Sequence, residues 1–192
     1  EKNPASGNAN DPNINSQKLT VDKIEITEAG AMDSFAAIGD KDAKIVIGKL
    51  NATIKNSGTA NTGAIYSNAK AEVTVTGEAN INVTGKVKSG QNISGFGLLA
   101  KAGGKINIVG DDKNIKVEDG ASAIASFGIG SNIDAKGATI EYKGNGYAIF
   151  SDGVGTIDIS GSTLIFDGKA VAYKIDRNQA TSPITLNNGT KI

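Results

Sequence analysis

Apolar and polar residues alternate along this chain in runs of three, and the runs keep a fixed order. Residues 146 to 168 read GYAIFSDGVGTIDISGSTLIFDG: an apolar dipeptide, then Ile157-Asp158-Ile159, then Leu164-Ile165-Phe166, with breaks rich in glycine, serine and aspartate. An apolar–polar–apolar triplet suits a strand with one buried and one wet face, whereas no window shows the i, i+3, i+4, i+7 recurrence of a helix. The breaks are too short to hold a helix. Glycine, asparagine, aspartate and serine instead supply the positive φ values and local hydrogen bonds of sharp turns. Each such motif predicts three short strands.

The motif repeats. The dipeptide returns as AIYS at Ala64, LLAK at Leu98, AIAS at Ala123, AIFS at Ala148 and AYKI at Ala172, in steps of 34, 25, 25 and 24 residues. A weaker copy, AAIG at Ala36, lies 28 residues before the first. A second triplet follows in each unit (Ile45–Ile47, Val73–Val75, Ile106–Ile108, Ile133–Ala135, Ile157–Ile159, Ile184–Leu186), then a third (Ala52–Ile54, Ile81–Val83, Ile115–Val117, Ile140–Tyr142, Leu164–Phe166). Three short strands cannot bury their apolar edge alone, but units stacked at about 4.8 Å align like positions into three parallel sheets around a solid core. The expected fold is all-β: a right-handed, single-stranded parallel β-helix of about six coils, with a core roughly 30 Å long.

The pattern also assigns faces. Val75, Ile108, Ile159 and Leu186 should line one inner wall, and Val83, Val117, Tyr142 and Phe166 another. Thr74, Asn107, Asp134, Asp158 and Thr185, with Asn82, Lys116 and Glu141, should point to water. The solenoid is expected over residues 18–192, after a flexible arm at 1–17 that carries two of the three prolines and almost nothing to bury. A Rossmann-type sheet needs helices between its strands, and leucine-rich repeats need an L-x-x-L-x-L frame that this chain lacks. An antiparallel sandwich gives no reason for such regular spacing.

Composition then narrows the chemistry. The 192 residues include no cysteine and no histidine, which excludes disulfides and Cys-based zinc sites and removes the commonest general base and metal ligand. Lysine plus arginine number 20 against 20 acidic residues, with no basic cluster, so nucleic acid is not an expected partner. No apolar run reaches membrane-spanning length, so no membrane insertion is expected of this segment. Neither a cofactor nor a metal is expected.

The motif GYAIFSDGVGTIDISGSTLIFDG and its copy SAIASFGIGSNIDAKGATIEYKG at residues 122–144 resemble the passenger repeats of type V autotransporters, in particular large fusobacterial-type outer-membrane adhesins. The likeness covers about residues 35–192. It implies a noncatalytic, monomeric rod on the cell surface, held by an outer-membrane barrel that this chain does not contain. The rod would meet a host or bacterial surface receptor, protein or glycan.

Two places stand out as contact surfaces. In AIYS, AIAS and AIFS both strand faces are apolar, so either the isoleucines or Tyr66 and Phe150 must face outward, and exposed apolar stripes mark interaction surfaces. Phe127, Tyr147 and Tyr173 lie near the same wall. The 34-residue step holds an insertion around residues 84–97, where Lys86, Lys88, Gln91 and Asn92 are candidate contacts, because insertions in solenoids collect on one face and carry binding. The rival readings are an inert stalk and a polysaccharide-cleaving β-helix enzyme. For the latter, Asp134 and Asp158 would stand about 5 Å apart, one coil above the other, as an acidic pair or a calcium site. Asp111-Asp112 is the adjacent acidic pair. The glycine runs at 95–100, 128–132 and 153–155 precede no helix, so they read as turns rather than phosphate loops.

Overall fold

A computed structural model describes residues 18–21, 34–55, 61–85, 87–88, 91–92, 94–167, 171–175, 184–186 and 189–192. The proposed arm at 1–17 lies outside the described residues. Strand β1 (Lys18–Val21) precedes five windings that each supply three strands. They are β2 (Ser34–Gly39), β3 (Lys44–Ile47) and β4 (Leu50–Lys55); then β5 (Thr62–Ser67), β6 (Glu72–Val75) and β7 (Ala79–Thr84). A short pair, β8 (Val87–Lys88) and β9 (Gln91–Asn92), interrupts the series. It resumes with β10 (Phe96–Lys101), β11 (Lys105–Ile108) and β12 (Lys113–Glu118); β13 (Ser122–Phe127), β14 (Asn132–Asp134) and β15 (Thr139–Lys143); and β16 (Tyr147–Ser151), β17 (Thr156–Asp158) and β18 (Thr163–Phe166). β19 (Val171–Ile175) and β20 (Ile184–Thr185) begin a further winding. Among the described residues there is no helix.

Like strands stack into three walls: β2, β5, β10, β13, β16 and β19 in the first, β1, β3, β6, β11, β14, β17 and β20 in the second, and β4, β7, β12, β15 and β18 in the third. Every pairing within these walls is parallel, which makes the molecule a parallel β-helix. Among the described residues five windings carry all three strands, slightly fewer than the six expected.

Walls two and three follow the alternation in the sequence. Val75 pairs with Ile108, and Val117 with Tyr142, which pairs in turn with Phe166. Val75, Ile108, Ile159, Val83, Val117 and Tyr142 are buried, and Leu186 and Phe166 are partly buried against the same core. The expected outward positions are all half-buried or exposed.

The corners explain the breaks. Between the first and second walls, Lys41 and Asp42, Ala69 and Lys70, then Ala102 and Gly103 all take positive φ, and these turns stack through Asp42 N–H to Ala69 O (3.1 Å) and Lys70 N–H to Ala102 O (3.2 Å). A non-glycine residue in this left-handed region costs roughly 1–2 kcal/mol, of which glycine's extra unfolded-state entropy offsets about half. Ala69→Gly should therefore raise stability by about 0.5–1 kcal/mol, read as a higher urea midpoint at unchanged slope. Between the second and third walls Gly48, Gly77 and Gly110 stack, and a Cβ on Gly77 or on Gly110 would lie 2.2 or 1.9 Å from the carbonyl oxygen of the glycine one winding before it, so no side chain fits at either.

Candidate functional site

The first wall departs from simple alternation. Its ladder skips one position in every pair, so that Phe96 pairs with Ser122 and Leu98 with Ile124 while the residue between them does not bridge. The strand bends there and two consecutive residues point inward. Ala64 and Ile65, Ala123 and Ile124, and Ala148 and Ile149 are all fully buried in the core. The stripe of isoleucines is thus inside, and the residues that follow it, Ile38, Tyr66, Leu99, Ala125 and Phe150, form the outward column.

The register corrects the reading of LLAK. Leu98 pairs with Ile65 and Ile124, so the residue level with Ala64 is Gly97, not Leu98. The reason is space. A Cβ on Gly97 would lie 2.7 Å from Ile115 Cγ2 and 2.5 Å from Ala123 O, so this winding has a glycine where the others have alanine. Tyr173 pairs with Ile149 and not with Phe150, which places it at the isoleucine position of the register.

Outside the first wall lies a layer of aromatic rings. Phe127 and Phe150 stand 4.9 Å apart between centroids, Tyr147 and Phe150 5.5 Å, and Phe35 and Tyr66 5.2 Å, all tilted by 32–37°. Such offset pairs add about 0.5–1.5 kcal/mol beyond the area they bury. The rings alternate with small residues one winding away: a Cβ on Gly63 would lie 2.7 Å from Phe35 Cε1. Phe35, Tyr66, Phe96, Phe127, Tyr147 and Phe150 are half-buried, and Ile38 at the end of the layer is 49% exposed. Seven of the nine aromatic residues, Tyr173 included, sit on strands of this one wall. The structure brings Tyr66, Phe150, Tyr147 and Phe127 to one face, as the sequence suggested. Phe35 and Phe96 escaped the sequence reading, although each stands directly before the inward pair, as Tyr147 does.

The insertion reaches the same edge. β8 and β9 form an antiparallel hairpin at the corner between β7 and β10, immediately before Phe96. Its neck is closed by glycines: a Cβ on Gly95 would lie 2.9 Å from the Cα of Gly85 and 3.0 Å from that of Gly120. Lys88, Gln91 and Asn92 are on its strands, and Lys86 lies outside the described residues. The next two equivalent corners, 119–121 and 144–146, are three residues long. Excising residues 86–93 leaves Gly85-Ser94-Gly95, the same length. The shortened protein should keep its β-sheet circular dichroism and its unfolding midpoint to within about 1 kcal/mol, because the hairpin is not part of any wall.

The acidic pair is differently occupied. Asp134 and Asp158 are register partners, and Lys136 Nζ bridges them at 2.7 Å from Asp134 Oδ2 and 3.2 Å from Asp158 Oδ2. Burial pushes the Asp158 carboxyl up, but the Ser160 hydroxyl, the Ser160 N–H at 3.0 Å and Lys136 together outweigh it and hold the group below its ordinary value. The hydrogen bond to Asp134, and then that to Asp158, raises Lys136. Lys136 thus ties Asp134 and Asp158 into a salt-bridged ladder on the outer face. Glu78 is likewise held down by its hydrogen bond to Lys49. Among the described residues no cluster of three acidic side chains is arranged to hold a metal ion.

An open groove of about 290 Å³ runs along the outer side of the third wall, beside Lys116, Glu118, Glu141, Lys143, Ile165 and Asp167. Three of its charges pair with each other, with Lys116 Nζ 3.5 Å from Glu118 and 3.6 Å from Glu141. The molecule therefore belongs to the class of parallel β-helices, with an aromatic outer face as its most distinctive surface. Compared with known proteins, the chain matches no family model, no curated protein and no solved structure.

Proposed function

We propose that this chain is a noncatalytic segment of a bacterial surface adhesin of the autotransporter type, a stiff rod that presents a binding face to a receptor on a host or bacterial cell. The observation that carries the reading is the concentration of rings on the outside of the first wall, beside an inserted hairpin that the solenoid does not need. Aromatic side chains give large contact area at low entropic cost, which suits recognition of either a protein or the apolar face of a sugar. The hydrogen bonds of the walls run along the rod axis, so the scaffold resists bending while its outer residues vary. The rod works as a monomer at the cell surface, joined to an outer-membrane barrel.

The test is a receptor and glycan array probed with the purified segment and with the double variant Tyr66→Ser, Phe150→Ser. Both residues are half-buried and outside the core, so the variant should fold, and binding should fall roughly ten-fold or more. Undiminished binding by the folded variant would reject the aromatic face as the contact. Absence of any ligand for the wild-type segment would favour an inert stalk, and polysaccharide cleavage would favour the enzyme.

A further inference from the structure

Tyr142 is a fully buried tyrosine of the core, and its hydroxyl is committed. It donates to Gly120 O at 2.7 Å and accepts from Gly146 N–H at 2.7 Å, tying the corner 144–146 to the corner of the preceding winding. Gly146 must be glycine, because a Cβ there would lie 2.4 Å from Ala121 O and 2.5 Å from the Tyr142 hydroxyl. The residue before it is Asn145, exposed to solvent. The packing thus fixes a glycine directly after an exposed asparagine, and an Asn-Gly pair is chemically labile because glycine does not shield its own backbone nitrogen.

We propose that Asn145 is a latent modification site, and that the Tyr142 hydroxyl guards it. In the reaction the Gly146 backbone nitrogen loses its proton and attacks Cγ of Asn145. A carbon–nitrogen bond forms, ammonia leaves, and a five-membered imide results. Water then opens the imide at one carbonyl to give aspartate or at the other to give isoaspartate. The attacking nitrogen is the atom whose N–H is held by Tyr142, so reaction requires that this bond first open. Isoaspartate adds a methylene to the main chain of a three-residue corner, and either product adds a negative charge there. Modification therefore unseats the fourth and fifth windings from each other.

The experiment follows Asn145 by peptide mass spectrometry during incubation at mildly alkaline pH. The samples are the folded wild-type chain, the same chain in denaturant, and the Tyr142→Phe variant. The folded wild type should convert at least about ten-fold more slowly than the unfolded chain, and folded Tyr142→Phe should lose most of that protection. Equal rates for folded and unfolded wild type, or a variant as slow as wild type, would overturn the proposal. Should Tyr142→Phe fail to fold, wild type in sub-denaturing urea decides. Conversion of Asn145 should rise in step with hydrogen exchange at the Gly146 amide, and conversion that ignores this exchange contradicts the guard.

Discussion

Gly110→Ala will lower the stability of the β-helix by about 3 kcal/mol, the upper end of what overpacking a tight interior costs. The Cβ it adds would sit 1.9 Å from the Gly77 carbonyl oxygen, with Gly77 C at 2.4 Å. Backbone cannot rotate away as a flexible side chain can. Val109, the residue before it, donates its N–H to Val75 O at 2.8 Å, so the strand would have to lift off its neighbour to relieve the clash. Gly77→Ala meets the same obstacle at Gly48 O, 2.2 Å away, and should behave alike. By contrast a Cβ on Gly137, at the same corner one winding beyond Gly110, meets nothing within 4 Å, so Gly137→Ala should cost only the strain of its positive φ of 70°, about 0.5–1 kcal/mol. Equilibrium unfolding in urea, monitored by circular dichroism, would compare the three.

Leu98→Ala is expected to cost roughly 2–5 kcal/mol, the ordinary range for emptying a buried leucine site. The repeat read by eye makes the opposite prediction. If LLAK were level with AIYS and AIAS, Leu98 would stand where those motifs have alanine, and the substitution would restore the repeat. The register instead puts Leu98 between Ile65 and Ile124, fully buried, where truncation leaves a void in a continuous column. Gly97→Ala completes the comparison. It too should destabilise, because its methyl collides with Ile115.

These two sites show where the sequence could be read and where it could not. The triplets of walls two and three were legible because each strand keeps a period of two with a polar middle residue, so Val117, Tyr142 and Asp158 could be assigned to faces without coordinates. The first wall hid its orientation because a bend turns two successive residues inward, which no alternation rule describes. Its outer face is also apolar, so polarity could not distinguish inside from outside. The insertion was visible as a long step, but its glycine neck was not, since contact between Gly85, Gly95 and Gly120 depends on stacking. The Asp134–Asp158 adjacency was foreseen. The lysine between them was missed because Lys136 belongs to the turn, and its reach across two windings leaves no periodic trace. Tyr142 was placed in the core, yet its hydrogen bonds need partners at a corner that the pattern reads only as a break.

Like residues of successive windings lie directly over one another, and disulfide trapping tests this stack most directly. The chain has no cysteine, so an introduced pair reports without background. Lys116 and Glu141 are exposed or half-buried register partners on β12 and β15, and adjacent strands bring such positions within bridging range. The pair Lys116→Cys, Glu141→Cys should close into an intramolecular disulfide under mild oxidation, while Asn82→Cys, Glu141→Cys, two windings apart, should stay reduced. A bridge in the second pair and none in the first would contradict the stack.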